Sequence, residues 1–538
     1  MLTCKLKIVK MLLSRRSCIV RKYHKDIPKQ CTNFTSKITE TPPESVWTPT
    51  IGLEIHAQMA TNSKLFSGAG TNFNSPINSS VSMFDCAIPG TMPVLNKKSV
   101  EMGILTALAL SCQINPVSMF ERKHYFYSDL PAGFQITQHK KPLATNGIIS
   151  FMVFNPQISG NAYIKSSKIK QIQLEQDSGR SYHNEDLGMS LIDLNRAGLP
   201  LMELVFEPDL STADEAAALI KELTLVLQSI GTCSCKMEEG ALRVDANVSV
   251  SKNDASLGTR TEIKNIGNTH AVRNAVQYEI QRQINILNNG GEIVNETRAW
   301  DAIEKKTIIM REKEENHDYR FMPEPNLPLL RIHVDQNEEN KYNLINASSL
   351  KKQLPELPHT LRNMMIAHDI KYPIIAAIMS SSEVLQLFLE LTKRNKNCNQ
   401  QLIAEVIISR LLGFIQHNDK DIKFLMDNID FMDDLIDLLQ QKLVNYNRLQ
   451  SVLEIWIEQP ELRPRQIVEQ NNWFMISDPN ELQKLCLDVI EKNPKIVAKY
   501  KRGKVKLFKR LIHEAVKVSN DCADMQKLTQ IMTKLLRD

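Results

Sequence analysis

The sequence predicts an α+β protein in which a sheet carries the chemistry and helices carry much of the bulk. Three observations lead there. Residues 191–250 read strand, helix, strand, and a further strand (GTRTEIKNI) and helix (Ala271–Leu287) come directly after. From about Ile345 glycine nearly vanishes and apolar residues fall at helical spacing, as in SSEVLQLFLELTKR and DFMDDLIDLLQQKL. Helices then cover one face of the sheet and leave the other polar.

The central strands are legible by their period of two. Arg243, Asp245, Asn247 and Ser249 alternate with Leu242, Val244, Ala246, Val248 and Val250. Upstream, Glu203 and Glu207 share one face of a second strand, with Leu204 and Phe206 on the other. Between them, STADEAAALIKELTLVLQSIG predicts a helix. Ser211 caps it with Asp214 three residues on, Gly231 stops it, and Leu219, Ile220, Leu223, Val226, Leu227 and Ile230 form its buried stripe. In GTRTEIKNI, Arg260, Glu262 and Lys264 leave one face together; the helix after it is closed by Gly290-Gly291.

Earlier strands add to the same polar count. In IGLEIHAQ, Glu54 and His56 lie two apart and leave one face, a pair able to ligate a metal or move a proton. On its own such a pair is more often structural or superficial. In KQIQLEQDSGR, Gln173, Glu175 and Asp177 oppose Ile172 and Leu174, and Ser178-Gly179 turns the chain. Carboxylates repel, so a cluster of this kind needs Mg²⁺ or a cationic substrate to settle it. The reading is a metal–nucleotide site.

The connecting segments say less. DCAIPGTMP (Asp85–Pro93) is a turn-rich loop with a fixed backbone path. In RKHYFYSDLPAGFQITQ the aromatic residues around Asp129 fit a substrate-facing loop and plain packing equally well. Arg298, Arg311 and Arg320 are phosphate-clamp candidates, although each taken singly is more often a surface residue. Pro323, Pro325 and Pro328 then mark a boundary.

A chain of 538 residues is too long for one core. The expected division is a leader and linker over 1–45, an α+β domain over 46–344, a helical domain over 345–468 and a small helical tail over 469–538. The net charge of +5 hides an asymmetry: residues 1–30 hold nine Lys or Arg against Asp26 alone, leaving the remainder near −3. Basic and acid-poor, the leader fits a mitochondrial presequence; a disordered basic arm is the plainer alternative. No run of about 18 or more apolar residues occurs, so membrane insertion is not expected. The ten cysteines are scattered, and Cys233 and Cys235 lack zinc-knuckle spacing, so reduced structural thiols are expected.

Within Lys492–Lys517 ten basic residues face a single acid, Glu514. Lys499, Lys501, Arg502, Lys504 and Lys506, set around Tyr500, Gly503 and Phe508, predict an RNA-backbone contact rather than an ordinary solvated face. Several signatures are absent. There is no phosphate-binding G-x-x-x-x-G-K-[ST] loop and no dinucleotide G-x-G-x-x-G, so ATP would be held by carboxylate-bound Mg²⁺ and by Arg or Lys on a sheet face. There is also no Gly-Ser-Ser amidase run and no G-x-S-x-G elbow, so the chain alone has no visible means of releasing ammonia from an amide.

Taken in order, IGLEIHAQ, HYFYSDLPAGFQITQ, LIDLNRAGLPLMELVFEPD, KMEEGALRVDANVSV, GTRTEIKNIGN and HDYRFMPEPNLPLL resemble the B-subunit family of the glutamyl/aspartyl-tRNA amidotransferases, in its mitochondrial form. The resemblance runs from about residue 48 to the C-terminus and is strongest up to residue 331. It implies a cradle-shaped domain similar to glutamine synthetase, a helical domain and a tail that touches tRNA. It also implies a reaction on misacylated Glu-tRNA(Gln). ATP phosphorylates the glutamyl γ-carboxylate, and ammonia from a partner amidase subunit displaces the phosphate to give Gln-tRNA(Gln), with a small clamp subunit (C) beside the amidase (A). Location in the mitochondrial matrix is implied too, with ATP and Mg²⁺ as cofactors. The chemistry fits the residues, because oxide is a poor leaving group and phosphate a good one, and phosphoryl transfer asks mainly for Mg²⁺ and cations.

Carried over position by position, Glu54 and His56 match the family's metal-binding G-L-E-x-H, with Glu175 and Gln176 as further metal positions. Glu203 matches the P-L-x-E motif, and Asp245 and Asn247 are candidates at the same site. Glu238 and Glu239 match the M-E-E-G turn. Arg243, Arg260 and Lys264 are expected phosphate contacts on charge and strand face. Thus Glu203, Asp245, Arg243 and Lys264 are assigned to catalysis, and Arg260, Glu238, Glu239 and Asn247 to the nucleotide.

Three departures stand out. Relatives usually have Glu-Glu-Asp where this chain has Glu175-Gln176-Asp177. Phe66 is followed by Ser67, Gly68 and Ala69 rather than by cysteines, so no zinc is expected. The tail is more basic and less glycine-rich than usual. Competing readings are a tRNA-binding scaffold subunit whose kinase site has decayed, and a free-standing ATP–carboxylate ligase of small substrates.

Overall fold

The computed structural model describes residues 47–154, 162–184, 186, 188–252, 257–312, 318–335, 339–395, 398–501 and 505–537. The basic leader lies outside the described residues. The remainder is built on a nine-stranded sheet: β1 (Thr48–Gln58), β2 (Gln113–Ile114), β3 (Ala144–Val153), β4 (Tyr163–Gln176), β5 (Pro200–Phe206), β6 (Leu242–Ser251), β7 (Thr261–Lys264), β8 (Glu296–Asp301) and β9 (Lys306–Glu312). Their order across the sheet is β9-β8-β7-β6-β1-β5-β4-β3-β2. Neighbours are antiparallel except β7 and β8, which run parallel.

Alternation makes this sheet two-faced. In β1, Ile51, Leu53, Ile55 and Ala57 are fully buried, while Glu54 and His56 leave the opposite side half-buried. Three helices cover the apolar face: α1 (Lys97–Ala109), α2 (Ala213–Ser229) and α3 (Thr269–Asn288). Leu219, Ile220, Leu223 and Leu227 of α2 are wholly removed from solvent, each a stabilisation of about 1.5–3 kcal/mol. Helix α2 ends as expected, with Gly231 in the left-handed region at φ +67°. Its start lies one residue later than the sequence suggested. Thr212 is the cap, accepting from the Glu215 backbone N–H at 3.1 Å, and the Glu215 carboxylate reaches back to the Ser211 N–H at 2.8 Å. Thr212 thus takes the place expected of Ser211, and the Glu215 carboxylate satisfies the N–H of the residue before the cap rather than that of the cap itself.

The expected face-sharing of Glu203 and Glu207 does not occur. Strand β5 closes at Phe206, with a register shift between Val205 and Phe206, and Glu207 lies beyond it.

A second, three-stranded sheet joins Glu121–His124 to Phe134–Thr137 and Met322–Pro323. It packs beside β4: Gln135 donates to the Gln176 carbonyl at 2.8 Å, and the Thr137 hydroxyl to Glu175 Oε2 at 3.2 Å. The turn after β4 admits only glycine at 179, where a Cβ would lie 2.9 Å from the Asp129 carbonyl oxygen and 3.0 Å from that of Asp193.

Beyond the sheet the chain is helical. The short helix Ala347–Lys351 still packs into the first core. A second core, including Phe388, Leu391, Phe414, Leu453 and Trp456, runs from Met365 to Val468. A third, from Leu482 to Leu536, is formed by helices Pro479–Lys492, Pro494–Lys501, Phe508–Val518 and Met525–Arg537. A buried ion pair between Arg362 in helix Pro358–Ala367 and Glu222 in α2 ties the helical part to the sheet part. No single helix among the described residues is long and apolar enough to cross a membrane. All cysteines among the described residues are free thiols.

Candidate metal and nucleotide site

Antiparallel pairing puts polar residues of different strands side by side. His56 on β1 lies opposite Glu203 on β5 and Arg243 on β6, and Glu203 lies opposite Gln173 on β4. Two residues back along β1, Glu54 lies opposite Asp245 on β6, and Asn247 lies opposite Glu262 on β7. Directly opposed residues have Cβ atoms about 4.5–5.5 Å apart, so these rows are contacts. Six of the residues (Glu54, His56, Glu175, Glu203, Arg243 and Asp245) line one cavity of about 1120 Å³, together with Asp177, Arg260, Glu262, Lys264, Lys123, Tyr125 and Tyr319.

At its floor, His56 Nε2 lies 3.2 Å from Glu175 Oε1 and 4.0 Å from Glu203 Oε1. One ligand atom from each of the three falls within 4.8 Å of those of the other two. The other carboxylate oxygens are fixed from behind: Glu203 accepts from the Gln173 amide, and Glu175 from Thr137. Gln173 is itself oriented, accepting from Gln171 Nε2 at 2.6 Å. Such outer partners hold ligands in one orientation.

Burial opposes a charged imidazole here, but the hydrogen bond and charge of Glu175, with Glu203 behind, raise the His56 pKa to about 9. Burial and the Glu175 charge push Glu203 up to about 7, despite His56. Glu175 is also penalised by burial, yet His56, Lys123 and Arg243 together hold it below the usual carboxylate range. The imidazolium charge of His56, together with the raised pKa of Glu203, is therefore how the protein settles the repulsion by itself.

The donor set suits a divalent cation equally well. Two carboxylates and an imidazole match Mg²⁺ or Mn²⁺ chemistry, the imidazole favouring the softer ion. An unused acceptor points the same way. Asn247 donates to Glu54 Oε1 at 3.0 Å, while its own buried Oδ1 has no hydrogen-bond partner among the described residues.

The cations divide into two kinds. Arg243 Nη2 lies 3.0 Å from Asp177 Oδ1, and Arg196 Nε 3.5 Å from Asp177 Oδ2. Lys264 Nζ lies 2.5 Å from Asp245 and 3.0 Å from Glu262, and although burial works against its charge, those two acids raise its pKa. Arg260 lines the cavity and has no ion pair among the described residues.

The sequence-derived residues thus separate. Glu54, His56, Glu175, Glu203, Arg243, Asp245, Arg260 and Lys264 line one cavity, and Asn247 sits behind Glu54. Gln176 does not join them. It leaves the opposite face of β4 from Glu175 and lines a separate cavity of about 320 Å³ with Phe84, Phe134 and Ile136. Glu238 and Glu239 do not line the site cavity either. They occupy a short helical turn, where Glu238 is exposed and Glu239 pairs with Lys236 at 2.9 Å, while Met237 faces the cavity.

Arg298 is no phosphate clamp. It is buried on the helix side, bonded to Glu296 at 2.7 Å and to Thr307 at 2.8 Å, and lies 3.7 Å from Glu279. Arg320 is exposed outside the cavity, its carbonyl bonded to His124; the Arg311 side chain lies outside the described residues. In the tail, Lys499, Lys501 and Lys506 are exposed, whereas Arg502 and Lys504 lie outside the described residues.

Sequence reasoning missed Lys64, fully buried and 3.0 Å from Asp85 under the Asp85–Pro93 loop. The basic and aromatic segment before Asp129, which suited a substrate-facing loop and plain packing equally, places Lys123 and Tyr125 in the cavity, and Tyr319, which the sequence did not single out, joins them.

Comparison with known proteins agrees with this architecture. Residues 49–338 match the model of the GatB/GatE catalytic domain, and residues 386–536 that of the GatB domain. The chain is 48% identical over 494 residues to the mitochondrial B subunit of glutamyl-tRNA(Gln) amidotransferase from Aedes aegypti, covering 91% of this chain and 93% of that one. It is 39% identical over 497 residues to the human protein of the same name, covering 92% and 89%. To the B subunit of aspartyl/glutamyl-tRNA(Asn/Gln) amidotransferase from Orientia tsutsugamushi (strain Boryong) it is 37% identical over 490 residues, covering 91% and 97%. The chain belongs to the GatB/GatE family of amidotransferase B subunits.

Proposed function

We propose that this chain is the kinase-bearing subunit of a mitochondrial glutamyl-tRNA(Gln) amidotransferase, acting with an amidase subunit and a small clamp subunit on Glu-tRNA(Gln). The observation that carries the reading is the convergence of His56, Glu175 and Glu203 at the floor of a cavity walled by Arg243, Arg260 and Lys264. The curated relatives, which bear the names of this activity and of mitochondria, support it.

The substrates are ATP and the glutamyl ester. A γ-carboxylate oxygen attacks the terminal phosphorus of ATP, the bond to the ADP oxygen breaks, and an acyl phosphate forms; ammonia then displaces phosphate to leave the amide. A divalent cation, when bound by His56, Glu175 and Glu203 with Glu54 beside them, supplies neutralisation of the triphosphate. The residues of the chain do the positioning. Gln173 and Thr137 fix the two carboxylates from behind, and Asn247 fixes Glu54. Asp177 holds Arg243, and Asp245 holds Lys264, so both cations stand at set positions, their charge shared between those acids and the phosphate oxygens.

The expected division of the chain completes the assignment. The sheet part up to about residue 344 is the catalytic cradle, the helical part over 345–468 a spacer, and the part from 469 the tRNA contact through Lys499, Lys501 and Lys506. A decayed scaffold would have no reason to keep a braced triad; both carboxylates of this one are hydrogen-bonded from behind.

The test is ADP release by the assembled complex with Glu-tRNA(Gln), without glutamine, against uncharged tRNA. Release that depends on the glutamyl group, and is lost on Glu175→Gln, is expected. Equal release with both tRNAs, or none with active partners, would leave the chain a tRNA-holding scaffold.

A further inference from the structure

We propose that Lys123 recognises the side-chain carboxylate of the aminoacyl group and holds its negative charge as it becomes an acyl phosphate; this rests on the function proposed above. The argument begins with which charges in the cavity are already satisfied. His56 is bound to Glu175, Arg243 to Asp177, and Lys264 to Asp245 and Glu262. Lys123 and Arg260 line the same cavity with no ion pair among the described residues. These two cations have charge to give to a substrate.

They stand at different ends of it. Arg260 precedes β7, whereas Lys123 lies on the strand Glu121–His124 of the small sheet. In that sheet Lys123 lies directly opposite Gln135, whose amide donates to the carbonyl at the end of β4. Four strand spacings separate β4 from β7, about 19 Å, so the two cations serve different parts of the substrate pair. The metal-ligating residues Glu175, Glu203 and His56 lie on β4, β5 and β1, toward the Lys123 end. Lys123 lines the same cavity as Glu175 and Glu203. The phosphoryl group must reach its acceptor beside the metal. The acceptor therefore belongs at the Lys123 end and the body of the nucleotide at the Arg260 end.

Lys123 is also prepared for this task. Its Nζ lies 4.8 Å from the centre of the Tyr319 ring and 5.9 Å from that of Tyr125. Ring faces hold an ammonium in place without neutralising it, each contact contributing about 0.5–2 kcal/mol. An orienting contact that leaves the charge unspent is what distinguishes Lys123 from Arg243 and Lys264. Its preference comes from charge. A glutamyl carboxylate is attracted, a glutaminyl amide is not, so the substrate is held and the amidated product is not.

The experiment uses the assembled complex with Lys123→Met and Lys123→Arg. Dissociation constants for Glu-tRNA(Gln) and Gln-tRNA(Gln) are measured beside ADP release dependent on the glutamyl group. Lys123→Met is expected to weaken Glu-tRNA(Gln) about tenfold or more while leaving Gln-tRNA(Gln) unchanged, the size of a lost hydrogen bond to a charged group. Its kcat should fall about 100-fold with the KM for ATP unchanged, as for loss of one charge-stabilising donor. Lys123→Arg should restore the discrimination between the two tRNAs, with a thermal unfolding midpoint matching the parent. Equal weakening of both tRNAs, unaltered discrimination, or a change confined to the KM for ATP would overturn the assignment. If the unsubstituted complex shows no glutamyl-dependent ADP release, the proposed function fails and the Lys123 assignment falls with it; release by the parent with unaltered discrimination in Lys123→Met overturns the assignment alone.

Discussion

Replacing Glu203 with Gln changes the charge of the site while keeping its shape, and the contacts of Glu203 set the consequence. Its Oε2 accepts from the Gln173 amide and its Oε1 faces His56 at 4.0 Å. A glutamine can keep the first contact only by presenting its own amide nitrogen to His56 and the metal position. The site then loses one full negative charge at ligand distance. A unit charge at about 4 Å in a medium of effective dielectric 20 is worth about 4 kcal/mol, or roughly a thousandfold in affinity. The Mg²⁺ or Mn²⁺ concentration giving half-maximal ADP release should rise by that order in the Glu203→Gln complex.

Stability in the absence of metal should move the other way. The folded pKa of about 7 lies above the ordinary 4.5, so the protonated form is favoured on folding. The contribution is complete below pH 4.5 and is lost as pH rises through 7, by at most about 3 kcal/mol. Glu203→Gln should abolish that loss, so that chelator-treated variant and parent differ more at pH 8 than at pH 5. Denaturant titrations at the two pH values, with and without Mn²⁺, read both effects. An unchanged metal requirement together with parallel pH profiles would refute the placement of the cation at this triad.

Other expectations concern the frame and the tail. Glu279 on α3 is fully buried and bonded to Arg282, Gln283 and Thr307. Glu279→Gln should cost about 3–5 kcal/mol in denaturant unfolding, because it strands buried guanidinium charge. Burial raises the Glu279 pKa but those bonds outweigh it and lower it; its contribution is present above pH 4.5 and lost as pH falls below, so the variant should show a shallower acid transition. Thr212→Ala removes the α2 cap and should cost about 1 kcal/mol by the same assay, with activity unchanged at low temperature. Replacing Lys499, Lys501 and Lys506 together by Gln should reduce the salt dependence of tRNA binding by a slope of about 2 to 3, and equally for charged and uncharged tRNA.

What the sequence made legible was whatever a period reveals. Strand β6 and the face of Arg243 and Asp245 came from simple alternation, as did Glu54 with His56 on β1. Periodicity does not reveal which strands are neighbours. That Glu203 would meet His56, and Glu175 meet both, is a fact of register across β4, β5 and β1. The misplacements have local causes. Gln176 adjoins Glu175 in a familiar run, yet adjacent residues on a strand point to opposite faces. Arg298 resembles a surface arginine or a phosphate clamp in the sequence. Its buried partners, Glu296, Thr307 and Glu279, come from two strands and a helix, and no local pattern announces them. Lys123 is hidden differently: a basic residue inside an aromatic run looks the same whether it faces solvent or a cavity.

The register that assembles the site is enforced from the other side of the sheet. A slip of β1 by one residue against β5 would turn Leu53 and Ile55, both wholly buried, toward the polar cavity, and Glu54 and His56 toward the helices. Exposing two such side chains costs about 3–6 kcal/mol before any charge is buried. The carboxylates of this site repel, and nothing about them favours their meeting. They meet because the apolar residues between them can pack against α1, α2 and α3 in only one register. In this fold the electrostatic strain of the site is carried by the hydrophobic core. A divalent cation, or one proton on Glu203, relieves it from above. Core substitutions that loosen register, Leu204→Ala for instance, should therefore weaken metal binding as well as stability, although Leu204 faces away from every ligand.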